Sequence, residues 1–225
     1  MQKIVPYLWY EKDVSQAAAL YVSSIPGSKI LSKSAVEGTP SGNVEIASIE
    51  LAGLEVTLMA AGPYFNHNPS FSFIVACDSR LEVDRLYKVL SSGSELMPLG
   101  EYPFSAYYAW VVDRFGLSWQ LMYQEGLERP ITVTPALMFV GDAAGKAKEA
   151  LNLYTRLLPG SSVDQTLHYG PDEAPDIEGS IKYASLKLSG VPFAVMDSAY
   201  EHAFAFNEAA SLMVRCDNQE EIDYY

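Results

Sequence analysis

Apolar and polar positions along this chain alternate in two kinds of run, and the order of the runs repeats. Residues 4 to 10, Ile-Val-Pro-Tyr-Leu-Trp-Tyr, are aromatic and β-branched and predict a strand with Tyr7 and Trp9 on one side. From Val14 to Ile25 the apolar positions Val14, Ala17, Ala18, Tyr21, Val22 and Ile25 recur at helical spacing, and Pro26-Gly27 predicts the stop. Residues 28 to 36, 44 to 51 and 55 to 60 then predict three strands, separated by the turn signals Gly38-Thr39-Pro40-Ser41-Gly42 and Ala52-Gly53. A strand, a helix and three strands make one βαβββ unit.

The pattern restarts at Ser70: a strand over 70 to 77, a helix over 81 to 90 ended by Ser91-Ser92-Gly93, and strands near 95 to 99, 106 to 112 and 117 to 123, with Asp113-Arg114-Phe115-Gly116 as the last turn. A third unit predicts a strand over 132 to 140, a helix over 143 to 157, and strands near 162 to 169, 180 to 188 and 192 to 197. A fourth opens at Ser211 and runs to Tyr225 without room for most of its helix or its last three strands. The first and third units also match each other: Pro6 and Pro135 are 129 residues apart, and the turns Pro26-Gly27-Ser28 and Pro159-Gly160-Ser161 are 133 apart. Two copies of one larger module are therefore expected, over 1–126 with two units and over 127–225 with one unit and an incomplete fourth; the polar segment 124 to 130 joins them.

Composition narrows the classes. Of 225 residues, 49% are hydrophobic and 19% charged, enough to fill real cores. A formal charge of -13 and a pI near 4.6 argue against nucleic acid and anionic membranes as partners, because both require Lys and Arg to neutralise phosphate. No apolar run reaches the roughly 20 residues that span a bilayer, and Met1-Gln2-Lys3-Ile4 lacks the apolar core of a signal peptide, so a cytoplasmic protein without a membrane partner is expected. Cys77 and Cys216 stand at matching points of the two copies, among apolar neighbours, and read as small buried hydrophobes with no disulfide.

Three stretches carry a resemblance: Pro6-Tyr-Leu-Trp-Tyr10 with its helix and the turn at Pro26, Asp113-Arg-Phe-Gly-Leu-Ser-Trp-Gln120, and Met196-Asp-Ser with Glu201-His202, Phe206-Asn-Glu-Ala209 and Glu220-Glu-Ile-Asp-Tyr-Tyr225. Together they resemble the PhnB-like branch of the vicinal oxygen chelate superfamily, which includes glyoxalase I, bleomycin-resistance proteins and extradiol dioxygenases. Members often carry a 3-demethylubiquinone 3-methyltransferase label, yet no strand here is followed by the Gly-rich turn and helix that cradle a nucleotide cofactor. The resemblance implies an α+β fold of tandem βαβββ units whose curved mixed sheets face each other and enclose a small-molecule cleft. Enzymes of the superfamily hold a divalent metal there to stabilise an oxyanion or enolate. At the corresponding positions this chain has Val5, Pro6, Tyr7 and Trp9, then Asn68, Pro69 and Ser70, then Gln120, a poor ligand set, so neither metal nor cofactor is expected.

The remaining candidates each have a bland alternative. His67 and His202 lie in linkers between units and read as loop histidines or metal ligands; His168 has no supporting neighbour. Glu208 is the best-placed carboxylate for general-base work, against a role as a cap. The run Gly141-Asp-Ala-Ala-Gly-Lys146 imitates a phosphate loop but lacks its Ser or Thr, and Asp172, Glu173, Asp176 and Glu178 are interrupted by Pro175. Tyr7, Trp9, Phe71, Phe73, Tyr108, Trp110 and Trp119 are core or cleft lining, and all but Trp119 join Gln120 as the binding residues expected. Two functions remain open: a binding module that takes a small apolar or aromatic molecule without metal, and a metal-dependent isomerase, lyase or dioxygenase with an atypical ligand set. Because the third unit would lack a partner for its concave face, a homodimer is expected, with residues 211 to 225 forming an edge strand across its two-fold interface.

Overall fold

The structure, a computed structural model, describes residues 1–39 and 42–225; the predicted turn at Pro40-Ser41 lies outside them. The first unit comprises β1 (Ile4–Tyr10), α1 (Val14–Ser24), β2 (Lys29–Thr39), β3 (Gly42–Leu51) and β4 (Leu54–Ala60). The second comprises β5 (Phe71–Cys77), α2 (Arg80–Leu90), β6 (Ser94–Tyr102), β7 (Ser105–Val112) and β8 (Ser118–Tyr123). The third has β9 (Ile131–Phe139), α3 (Ala147–Leu157), β10 (Ser162–His168), β11 (Ile181–Leu188) and β12 (Val191–Asp197); β13 (Ala210–Val214) and the short α4 (Gln219–Tyr224) follow. The fold is α+β, built of tandem βαβββ units.

Local chemistry explains most boundaries. Ser79 caps α2 by accepting from the Glu82 amide, and Asn218 does the same for Glu221 in α4. The turns 52–53 and 189–190 both place two residues at positive φ, as the tightest hairpins require. The third helix starts four residues later than predicted: 141–143 form a single 3₁₀ turn, Gly145 adopts a φ of 82°, and the Ala147 amide is capped across the chain by Asp197. The apolar spacing of 143 to 146 belongs to that turn.

The units combine otherwise than expected. Each was expected to face its neighbour within its own copy, yet β5 pairs antiparallel with β9, joining the second and third units in one eight-stranded sheet ordered β10-β11-β12-β9-β5-β8-β7-β6. The first unit's sheet is extended by β13, antiparallel to β1, in the order β13-β1-β4-β3-β2. The strand expected to cross to another subunit is thus placed within its own chain, and the third unit's sheet is already continued by the second.

One core lies between the sheets. Ile4, Leu8, Tyr10, Leu58 and Ile49 from the small sheet meet α1 on the same side, while Phe73, Val75, Val111, Trp119 and Leu121 from the large sheet meet α2, all in a single buried cluster. The rings of Tyr21 on α1 and Trp119 on β8 are 5.1 Å apart, and both lie near the carboxylate of Asp113, which accepts from Trp119 Nε1 at 2.8 Å. Because strands alternate, the opposite face of each sheet points away from this core. The molecule therefore has two separate faces available for ligands.

Candidate functional site

The outward face of the small sheet carries Tyr7 and Trp9 on β1, Met59 on β4 and Ser211 on β13. Two linkers, 61–70 and 198–209, close over it. They are held by matching asparagines: Asn68 donates to the Ala205 carbonyl and Asn207 donates to the Asn66 carbonyl, both at 2.9 Å. Each asparagine also accepts from an amide two residues on, Ser70 and Ala209. This brings Phe65, Phe206 and Glu208 to the rim of a cavity of about 630 Å³. Trp9 is fixed by donation from Nε1 to the Gly62 carbonyl at 2.8 Å and by edge contact with Phe65 at 5.2 Å; Tyr7 Oη donates to Met59 Sδ at 3.4 Å. Glu208, the lone charged group of the lining, has no hydrogen bond or ion pair among the described residues.

On the outward face of the large sheet, Tyr108 Oη donates to Gln120 Oε1, and Gln120 Nε2 donates to Ser72 Oγ, both at 2.9 Å. The three residues are buried, and burial pushes the Tyr108 hydroxyl pKa far up, so the chain stays neutral. Trp110 donates from Nε1 to Ser118 Oγ at 2.6 Å beside them. Ile74, Ala136 and Ala194, with Met122, Tyr183 and Met196, form an apolar patch on the same face.

The expected binding residues therefore fall into three places. Tyr7 and Trp9 share a cavity with Glu208, whereas Tyr108, Trp110 and Gln120 stand together on the other sheet. Phe71 and Phe73 face the helix-covered side, their rings 5.3 Å apart and Phe73 5.3 Å from Trp119, although Phe71 also borders a small void of about 40 Å³ beside His67. All of β5 is buried on both faces, so its pattern could not tell the two sides apart. The pairing of the asparagines leaves one trace in the sequence: Asn68 and Asn207 share the 139-residue spacing of Cys77 and Cys216.

The other candidates have structural surroundings. His202 Nε2 meets Ser198 Oγ at 3.0 Å, and His168 Nδ1 meets the Gly179 carbonyl at 2.9 Å. Glu173 binds the Gly170 amide and Lys182, and Asp176 accepts from the Ala199 amide. A divalent metal, which the fold implies, does not fit these donors. Gln120 has both ends of its amide engaged, its neighbours Ser72 and Tyr108 are neutral, and no group of three His, Cys, Asp or Glu side chains converges among the described residues.

Two sheets of βαβββ units give this chain the fold of solved glyoxalase and dioxygenase structures. The chain belongs to the family described as 3-demethylubiquinone-9 3-methyltransferase, whose profile matches residues 2–122 and 131–225. It is 34% identical to the PhnB protein of Bacillus cereus over 55% of this chain and 100% of that one, with a TM-score of 0.49. A glyoxalase I variant from Zea mays is 14% identical over 92% of this chain and 72% of that one, with a TM-score of 0.56. A candidate dioxygenase from Bacillus subtilis subsp. subtilis str. 168 is 9% identical over 87% of this chain and 64% of that one, at 0.51, so these two matches speak for the fold alone. No curated protein matches the chain. Among the described residues no helix is long and apolar enough to cross a membrane.

Proposed function

We propose that the chain is a binding module that takes a small apolar or aromatic molecule on the outward face of its small sheet. The observation that carries this reading is the cavity of about 630 Å³, in which Tyr7, Trp9, Met59, Phe65 and Phe206 supply the walls. Its volume falls in the range that encloses a small ligand, and rings fixed by their own hydrogen bonds lose little freedom on binding. We also propose a two-fold dimer, built on the outer edge of β13 and the apolar side chains of α4.

The test of binding uses N-phenyl-1-naphthylamine, a neutral aromatic probe, in a Trp110→Phe background that leaves Trp9 and the buried Trp119 as emitters. Saturable quenching of Trp9 is expected, with affinity about tenfold weaker in Phe206→Ala, the loss of roughly one buried aromatic contact. Equal affinity in Phe206→Ala and in Trp9→Ala, the latter read from the emission of the probe itself, would remove this face as the site.

A further inference from the structure

In the first and third units the parallel ladder between the first and last strands begins one residue after a proline. β1 joins β4 from Tyr7 and Thr57 onward, after Pro6; β9 joins β12 from Ala136 and Ala194 onward, after Pro135. Proline has no N–H to give a ladder, so the strand ends before it are left without main-chain bonds to each other. In the first unit a side chain closes the gap. Gln2 donates from Nε2 to the carbonyls of Ile4 and Glu55 and accepts on Oε1 from the Glu55 amide, each at 2.8 Å.

The third unit has no such plug. By the spacing of the turns 52–53 and 189–190, the place of Glu55 is taken by Pro192, which has no amide hydrogen; by the spacing of Pro6 and Pro135, the place of Gln2 is taken by the buried Ile131. A cavity of about 670 Å³ lies there instead, lined by Thr132 and Thr134 on β9, Pro192 on β12, Lys187 on β11 and Arg129 from the segment joining the copies. Arg129 reaches the turn of the first unit, with Nη1 3.0 Å from where a Cβ on Gly53 would stand. Its guanidinium and the hydroxyls of Thr132 and Thr134 have no hydrogen bond or ion pair among the described residues. Lys187 approaches Asp164 only to 3.9 Å. Two cations against Glu128 give this lining a positive balance in a chain of formal charge -13.

We propose that this cavity is a second binding site, separate from the cavity at Tyr7 and Trp9, for a small molecule carrying a carboxylate or phosphate group. The planar fork of Arg129 suits two oxygens of such a group, Lys187 adds a second charge, and the threonine hydroxyls supply neutral donors. Because the site is made from both copies and the segment between them, an occupant would tie the copies together.

Inorganic phosphate and succinate, titrated separately by calorimetry into the full chain at constant ionic strength, test this. At least one anion is expected to bind with one-to-one stoichiometry and to be weakened about tenfold or more in Arg129→Ala and in Lys187→Ala, the loss typical of one charge-assisted hydrogen bond. Both side chains are exposed, so the variants should keep the wild-type unfolding midpoint without anion, and Trp9→Ala should bind the anion as wild type does. Failure of both anions to bind, or equal affinity in wild type and both charge variants, would overturn the proposal. The same loss in Trp9→Ala would move the anion to the small sheet's cavity and equally overturn it.

Discussion

His67 shows what single residues can do in this fold. Its ring lies edge-on to Tyr10 at 4.6 Å, its Nε2 is buried without a hydrogen-bond partner among the described residues, and burial lowers its pKa from 6.5 to about 4. The folded state therefore holds this proton more weakly than the unfolded chain. Stability contributed by the neutral ring is complete above pH 6.5 and is lost as pH falls toward 4, by up to about 3 kcal/mol. Glu55, Glu173 and Glu221 are held below the usual carboxylate value by their partners, whereas burial raises the carboxyl of Asp113, so it is the comparison with a variant lacking the imidazole that isolates His67. His202, half-buried and lowered by burial, adds a smaller share. Urea midpoints from about pH 6.5 to 5 should slope in wild type and flatten in His67→Leu; an unchanged slope would remove His67 from the account. None of this was legible beforehand, because a histidine between units reads as solvent-facing until the packing of Tyr10 over it is known. Gln120 was legible as a residue worth naming, but its immobilisation by Tyr108 and Ser72 depends on cross-strand register that no local pattern specifies.

At the scale of elements, period and turn chemistry placed the strands and helices within a few residues, and the exceptions have identifiable causes. β6 runs from Ser94 to Tyr102 with three register shifts along β7, a stretch in which Pro98 and Gly100 hide the alternation. What local pattern could not show is which strands meet. β5 and β9 are both apolar enough to lie inside a sheet, and their antiparallel pairing across more than fifty residues of chain follows from packing two helix-covered faces together. The Gln2 plug has no local signal either, since a polar residue beside the N-terminus carries no periodicity. Its weight can be measured. Gln2→Ala removes three bonds at a point where β1 and β4 share no ladder and should cost about 1–3 kcal/mol in urea unfolding. Exchange of the Glu55 amide should accelerate more than that of Leu58; equal protection at both amides in the variant would show that the main chain holds this end without Gln2.

For the whole molecule, the repeat read in the sequence becomes two unequal sheets. β5 is flanked on both sides, by β8 and β9, whereas its counterpart β13 is flanked by β1 alone, so one strand edge stays unpaired. Beside it, the residues of α4 and its C-cap that match Val83 and Leu86 of α2 are Ile222 and Tyr225; the first two are fully buried, the latter 55% and 40% exposed, and Tyr224 is 62% exposed. An open edge next to apolar side chains invites association, and the same surface on two copies closes with two-fold symmetry. The interface differs from the sequence expectation, because β13 stays with its own β1 and offers only its outer edge; Arg215, paired with Glu55, and Lys3, paired with Glu221, fasten it there. Light scattering at about 10 μM should give the mass of two chains, and Ile222→Asp should shift it to one chain with the urea midpoint of the first unit's core unchanged. A wild-type chain that scatters as a single copy at that concentration would refute the dimer and show that this edge remains in solvent.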